Sequence, residues 1–287
     1  MCDEFIHPGL VEDNRLSRRS FGLMTAVMTG ISGTALAQGN VMEKDVSVKT
    51  PDGTCDAVLY HPAGSGSWPA VLVWPDIMGL RPAFRDLGRR LASQGYVVLV
   101  PNPFYRSAKA PVIGETFDFN NPEQRARLMG YRGAMSDAGV DSDAQAYLTF
   151  LDAQPQTNKT KKVGVQGYCM GGALSFRTAA AVPGRIGAVG SFHGGNGLVT
   201  KDANSPHLLI AKTNAAYLVC QAQNDDQQAP QMKDELKAAF TAARKMATVE
   251  VYQANHGWCV KGGAVYNEAE AERAWSNLSK LYQANLA

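Results

Sequence analysis

The sequence predicts an α/β fold, with helices on both faces of a mainly parallel sheet of about eight strands. Three observations predict it. Short runs that are almost wholly apolar recur at 70–74, 96–100 and 216–222, as expected of strands covered on both sides. Helix-patterned segments separate the strand-like runs, and such alternation builds parallel sheets. The run Gly167-Tyr168-Cys169-Met170-Gly171-Gly172 lies between a strand-like segment at 162–166 and a helix-like one at 173–180. A strand, a sharp turn and a helix are the setting of a nucleophile elbow, with cysteine here in the nucleophile's place.

Each element follows in order. Segments 44–50 and 55–61 read as a hairpin turned by Asp52-Gly53. Residues 63–67 are a loop, and 70–74 is the first buried strand. Phe84, Leu87 and Leu91 give 82–94 a helical stripe that ends at Gly95, and the strand 96–100 follows. Helices are expected at 122–129 and 141–151, with a polar excursion between them suited to a lid. After the elbow, strands 186–192, 216–222 and 247–252 alternate with helices at 230–244 and 266–283. A parallel sheet places its ligand site at the carboxyl ends of its strands.

Such an elbow calls for an acid and a histidine later in the chain, on loops after further strands. The strand 216–222 runs into Gln223-Asn224-Asp225-Asp226, and 247–252 runs into Gln253-Ala254-Asn255-His256-Gly257-Trp258. Cys169, Asp225 or Asp226, and His256 therefore fall in the required order. A thiol with its free pKa near about 8.5 needs such a partner to become a strong nucleophile. Of the other histidines, His61 follows an early strand upstream of the nucleophile, while His193 also tops a strand and could line the pocket. The amide of Met170, after the cysteine, and that of Ile77, in the loop after strand 70–74, are the expected oxyanion donors.

These motifs resemble those of the dienelactone hydrolase family of α/β-hydrolases, from about Val46 to the last helix. Gly167-Tyr168-Cys169-Met170-Gly171-Gly172 resembles its nucleophile motif and Asn255-His256-Gly257-Trp258 its histidine loop. The resemblance implies a Cys169, Asp225 and His256 triad that hydrolyses lactone or ester bonds without metal or organic cofactor. Asp225 is preferred because 222–225 matches the family's small-x-x-aspartate spacing, while Pro230 four residues after Asp226 keeps that residue open. The segment 71–80 resembles the strand and loop of the family's active-site glutamate, replaced here by the shorter Asp76, which would lie beside the resting thiol. The segment 101–106 resembles the one carrying a substrate-carboxylate arginine, which points to Arg106, with Arg81 a weaker candidate. A second family arginine has no match after the histidine, where Lys261 is the nearest cation. The alternatives are a broader carboxylesterase or thioesterase, and a non-catalytic binding protein on the same fold. A thiol-redox protein would need a C-x-x-C pair, which the sequence lacks.

Ser17-Arg18-Arg19-Ser20-Phe21-Gly22-Leu23 resembles a twin-arginine export motif, with Ala35-Leu36-Ala37 as its cleavage site. Residues 1–37 are thus read as a signal peptide, 38–287 as one domain, and the bacterial periplasm as its destination. The export machinery is then a transient partner. The stretch 21–37 is too short and too polar for stable membrane insertion. A net charge of +2 with both signs scattered argues against nucleic acid. The cysteines and histidines lack zinc-site spacing, and Cys220 and Cys259 fall near one predicted edge, which leaves a disulfide between them open.

Overall fold

The structure, a computed structural model, describes residues 41–114 and 117–286, so the expected export segment lies outside the described residues. The opening hairpin is β1 (Val41–Thr50) and β2 (Gly53–Pro62), joined through Pro51-Asp52, with Gly53 at φ 145°. Next come β3 (Ala70–Trp74), α1 (Pro82–Ser93) and β4 (Val97–Pro101). Helices α2 (Pro122–Gly133) and α3 (Asp137–Asp152) precede β5 (Val163–Tyr168) and α4 (Met170–Ala181). The remainder is β6 (Ile186–Phe192), α5 (Pro206–Leu209), β7 (Ala216–Ala222), α6 (Gln223–Gln228), α7 (Met232–Ala242), β8 (Ala247–Tyr252) and α8 (Glu268–Asn285).

The eight strands form one sheet in the order β1-β2-β4-β3-β5-β6-β7-β8. The β1–β2 and β2–β4 pairs are antiparallel and every later pair is parallel. This is the α/β-hydrolase fold. Residues alternate between two cores, as a period of two demands. Leu72, Trp74, Val97 and Leu99 join Tyr147, Phe176 and Phe240 on the side of α3, α4 and α7. Val71, Val73, Val98 and Val100 join Phe84, Leu278 and Tyr282 on the side of α1 and α8. Because β3 has β4 on one side and β5 on the other, the strand order reverses there. A crevice opens at such a switch point beyond the carboxyl ends of the strands.

Several boundaries differ from those expected. Helix α2 runs on to Gly133 despite Gly130, and α3 begins at Asp137, where the Ser136 side chain caps it by accepting from the Gly139 amide at 3.0 Å. Glycines inside both helices lower intrinsic propensity and hide these turns from the sequence. Between the two helices only three residues, 134–136, are non-helical, in place of the expected polar excursion. The helix expected at 230–244 is α7, and the acid-bearing segment 223–226, expected as a loop, lies in helix α6. Cys220 and Cys259 are free thiols, and Cys220 is buried in the core. Among the described residues no helix is long and apolar enough to cross a membrane.

Candidate active site

The elbow is built by close backbone packing. Cys169 stands between β5 and α4 at φ 52° and ψ −118°, a region costly for any residue with a side chain. A Cβ on Gly167 would fall 1.8 Å from the Gly171 carbonyl oxygen, and one on Gly171 would fall 2.4 Å from that of Trp74. Both positions therefore admit only glycine. Gly171 lets the end of β3 press against the start of α4, and the Trp74 indole donates to Thr178 Oγ1 at 2.9 Å to hold them there. This contact sets the loop after β3 beside Cys169. Met170 opens α4, so its amide has no acceptor within the helix and is suited to an anion.

The β3 loop is shaped by Asp76. Its Oδ1 accepts from the Met78 amide at 2.9 Å, and its carbonyl accepts from Gly79 at 2.9 Å. The same carboxylate takes both guanidinium prongs of Arg81, at 2.6 and 2.9 Å, with Asp76 fully buried and Arg81 nearly so. The family resemblance leads one to expect the Asp76 carboxylate beside the resting thiol. The structure instead compensates that charge with Arg81 and uses the carboxylate to shape the turn that carries Ile77.

His256 and Asp225 arrive from the next strands. Asp225 lies in the first turn of α6, and its Oδ2 and Oδ1 are 2.8 and 3.1 Å from His256 Nδ1. The Asn224 side chain accepts the His256 amide at 2.8 Å, fastening the two loops. Asp226 turns away to Lys233, at 2.7 and 3.0 Å. Burial disfavours an imidazolium at His256. Against it act the charge of Cys169, hydrogen bonds to Asp225 and Cys169, and the charge of Asp225, which together raise its pKa to about 10. The His256 ring is thus hydrogen-bonded through Nδ1 to the Asp225 carboxylate, and it shares the cavity with Cys169.

Cys169, Met170, Ile77 and His256 all face one cavity of about 940 Å³. Its lining also comes from α2, from α5 and from the segment between β6 and α5, including Met129, Arg132, Val199 and Leu209. Arg106 lies elsewhere. Its guanidinium is bound to Asp143 at 2.7 and 2.9 Å and to Asp52 at 2.7 and 2.9 Å, and it is not among the residues lining the cavity. Arg177 does line the cavity but is held by Asp137 and Asp141, each at 2.8 Å. Arg132 also lines it, and its one hydrogen bond among the described residues is a long one of 3.5 Å to the Met135 carbonyl. The sequence reading missed Arg132, since nothing in a weakly amphipathic helix marks which side chain will face a distant strand end.

The aromatic residues near the strand ends pack in the core and do not wall the cavity. Trp258 stacks on Tyr252 with ring centres 4.7 Å apart, and Phe192 stacks on Tyr168 at 4.9 Å. Tyr105 donates to Asp143 at 2.7 Å. His193 is also fully buried and lies outside the cavity lining. Among the described residues no cluster of histidine, cysteine or carboxylate side chains could hold a metal ion.

Fold and site together define a hydrolase of the α/β-hydrolase class acting on ester or lactone bonds. The chain belongs to the dienelactone hydrolase family, whose model matches residues 55–286. It is 26% identical over 231 residues to a Synechocystis protein described as "putative carboxymethylenebutenolidase", covering 79% of this chain and 91% of that one. It is 36% identical over 129 residues to the carboxymethylenebutenolidase of Pseudomonas sp. strain P51, covering 45% and 51%. Among solved structures, a Klebsiella pneumoniae protein described as "putative dienelactone hydrolase" superposes with a TM-score of 0.72 at 22% identity, covering 85% of this chain and 99% of that one.

Proposed function

We propose that the protein hydrolyses small lactones or esters through a Cys169, His256 and Asp225 triad, as a carboxymethylenebutenolidase-type enzyme. The observation that carries this reading is a strained Cys169 facing the same cavity as His256, whose Nδ1 is hydrogen-bonded to Asp225. Asp225 fixes the imidazole tautomer, leaving Nε2 for the sulfur. The Cys169 thiolate attacks the carbonyl carbon. The resulting oxyanion is received by the amides of Met170 and Ile77. Its collapse breaks the acyl carbon–oxygen bond, and His256 gives its proton to the departing alkoxide. For a lactone that alkoxide stays tethered to the acyl chain. Water, deprotonated by His256, then attacks the thioester, releasing the acid and restoring the pair. Arg132, a cation on the cavity lining with one long hydrogen bond, is suited to receive a substrate carboxylate.

The test is turnover of lactones and small esters by Cys169→Ala, Asp225→Asn and Asp226→Asn. The first is expected to abolish hydrolysis in a folded protein, and the second to cost about a hundred-fold or more by misplacing the imidazole proton. The third should leave the rate within about two-fold, as an acid engaged by Lys233 plays no part in the reaction. Hydrolysis persisting in Cys169→Ala overturns the mechanism. We read residues 1–37 as a twin-arginine signal that delivers the enzyme to the periplasm, on the strength of Arg18-Arg19 and the Ala35-Leu36-Ala37 site. Replacing both arginines with lysine is expected to leave precursor in the cytoplasm, and normal processing of that variant contradicts the route.

A further inference from the structure

His193 carries two local costs beside the elbow. Its backbone sits at φ 39°, in the left-handed region, where asparagine, aspartate and histidine are the least disfavoured side chains after glycine. Its ring is fully buried, yet Nε2 has no hydrogen-bond partner among the described residues. An apolar side chain would avoid the second cost, and glycine the first. Costs gathered in this way at one residue mark a function when the residue makes some other contact that requires them.

That contact is with the nucleophile's own backbone. His193 Nδ1 accepts from the Cys169 amide at 3.1 Å, an amide also shared with the Phe192 carbonyl at 3.0 Å. The His193 amide is itself pinned to the Cys220 carbonyl at 2.8 Å, so the acceptor is anchored to β7. On its other side the ring meets His256 edge to face, with centres 4.9 Å apart. Burial, and then the charge of His256, keep the His193 ring neutral against the opposing pull of Asp225. A neutral ring that accepts at Nδ1 carries its proton on Nε2.

We infer that His193 is a positioning residue for catalysis, which holds the strained Cys169 peptide by accepting its amide at Nδ1 and so aims both the sulfur and the Met170 amide. The inference deepens the triad reading and rests on it. Cys169 and the amide that follows it belong to one stretch of backbone, so a rotation at Cys169 moves the nucleophile and one oxyanion donor together. His193 is not among the residues lining the cavity. Its removal therefore acts on kcat and leaves KM nearly unchanged, since misplacing reacting atoms by about 1 Å can cost on the order of a hundred-fold in rate.

The experiment compares His193→Asn with His193→Leu in the full chain. The two side chains have nearly the same shape, but only asparagine offers an oxygen where Nδ1 stands, and it also tolerates a positive φ. First, hydrolysis by the wild type is shown to depend on Cys169 by Cys169→Ala; failure there overturns the triad reading and this inference with it, whereas the His193 comparison tests the inference alone. With that established, His193→Asn is expected to keep kcat within about three-fold of wild type, and His193→Leu to lose about ten- to a hundred-fold, with KM steady in both. The rate of Cys169 alkylation by iodoacetamide is expected to follow the same order. If leucine prevents folding, His193→Gln takes its place, because its oxygen reaches the position of Nε2 and not of Nδ1. Equal kcat in the asparagine and acceptor-less variants, or a ten-fold loss in folded His193→Asn, overturns the inference.

Discussion

Asp76 and Arg81 form a doubly hydrogen-bonded ion pair, at 2.6 and 2.9 Å, buried beneath the loop that carries Ile77. The pair changes what this carboxylate can do. A lone carboxylate near Cys169 would oppose thiolate formation, whereas one engaged on both oxygens by a guanidinium projects little net charge. The role left to it is structural, through the Met78 amide and the turn around Gly79.

Asp76→Asn is therefore expected to act on stability more than on thiol reactivity. Removing one partner of a buried pair costs about 3–5 kcal/mol, because the other charge stays buried without compensation. For a domain of this size that corresponds to a fall of roughly 6–20 °C in melting temperature. Iodoacetamide alkylation of Cys169, followed against pH, is expected to match wild type. Faster alkylation near neutral pH would restore a thiol-gating role for Asp76.

The site divides clearly into what local sequence could and could not convey. Gly167, Cys169 and Gly171 were legible because the elbow's steric demands fall within five consecutive residues. His256 and the acidic pair were legible because chain order and strand ends restrict where such partners can lie. Choosing Asp225 over Asp226 on geometry needed helix α6, which turns one carboxylate to His256 and the other to Lys233. The contacts of Arg106 with Asp52 and Asp143 join segments far apart in the chain, so no local pattern announces them. The same holds for His193, whose contact with the Cys169 amide depends on β5 and β6 ending side by side.

A pH prediction follows from His256. Its pKa in the folded protein, about 10, lies above the value near 6.5 of an unperturbed histidine. The folded state thus binds this proton more tightly than the unfolded state does. The stabilisation is fully present below about pH 6.5, declines as pH rises, and is gone above about pH 10. Urea midpoints measured at pH 6, 8 and 10 are expected to fall in wild type. The fall should be shallower in Cys169→Ala, which removes the sulfur that does most to raise the His256 pKa. Parallel profiles for the two proteins would show that the sulfur does not hold the proton on His256.

Arg106, to which the sequence points, and Arg132, which it does not mark, differ in where their guanidinium groups lie. Arg106 is bound to Asp143, itself almost fully buried, and to Asp52, so its guanidinium has no face turned to the cavity. Arg132, on α2, faces the cavity that also receives Cys169 and His256, and its long bond to the Met135 carbonyl leaves most of its donors for a substrate. A charge-assisted hydrogen bond is worth about 1.5–3 kcal/mol, or roughly ten- to a hundred-fold in binding. Arg132→Ala is accordingly expected to raise KM about ten- to a hundred-fold for lactones or esters bearing a free carboxylate, while neutral esters shift by less than about two-fold. Arg106→Ala is expected to do the reverse, lowering the melting temperature by leaving Asp143 buried without its partner, with no preference between the two substrate classes. Steady-state kinetics on a matched pair of substrates, acid and methyl ester, together with thermal melts of both variants, makes the comparison. A carboxylate-selective loss in Arg106→Ala, with none in Arg132→Ala, would reverse the assignment.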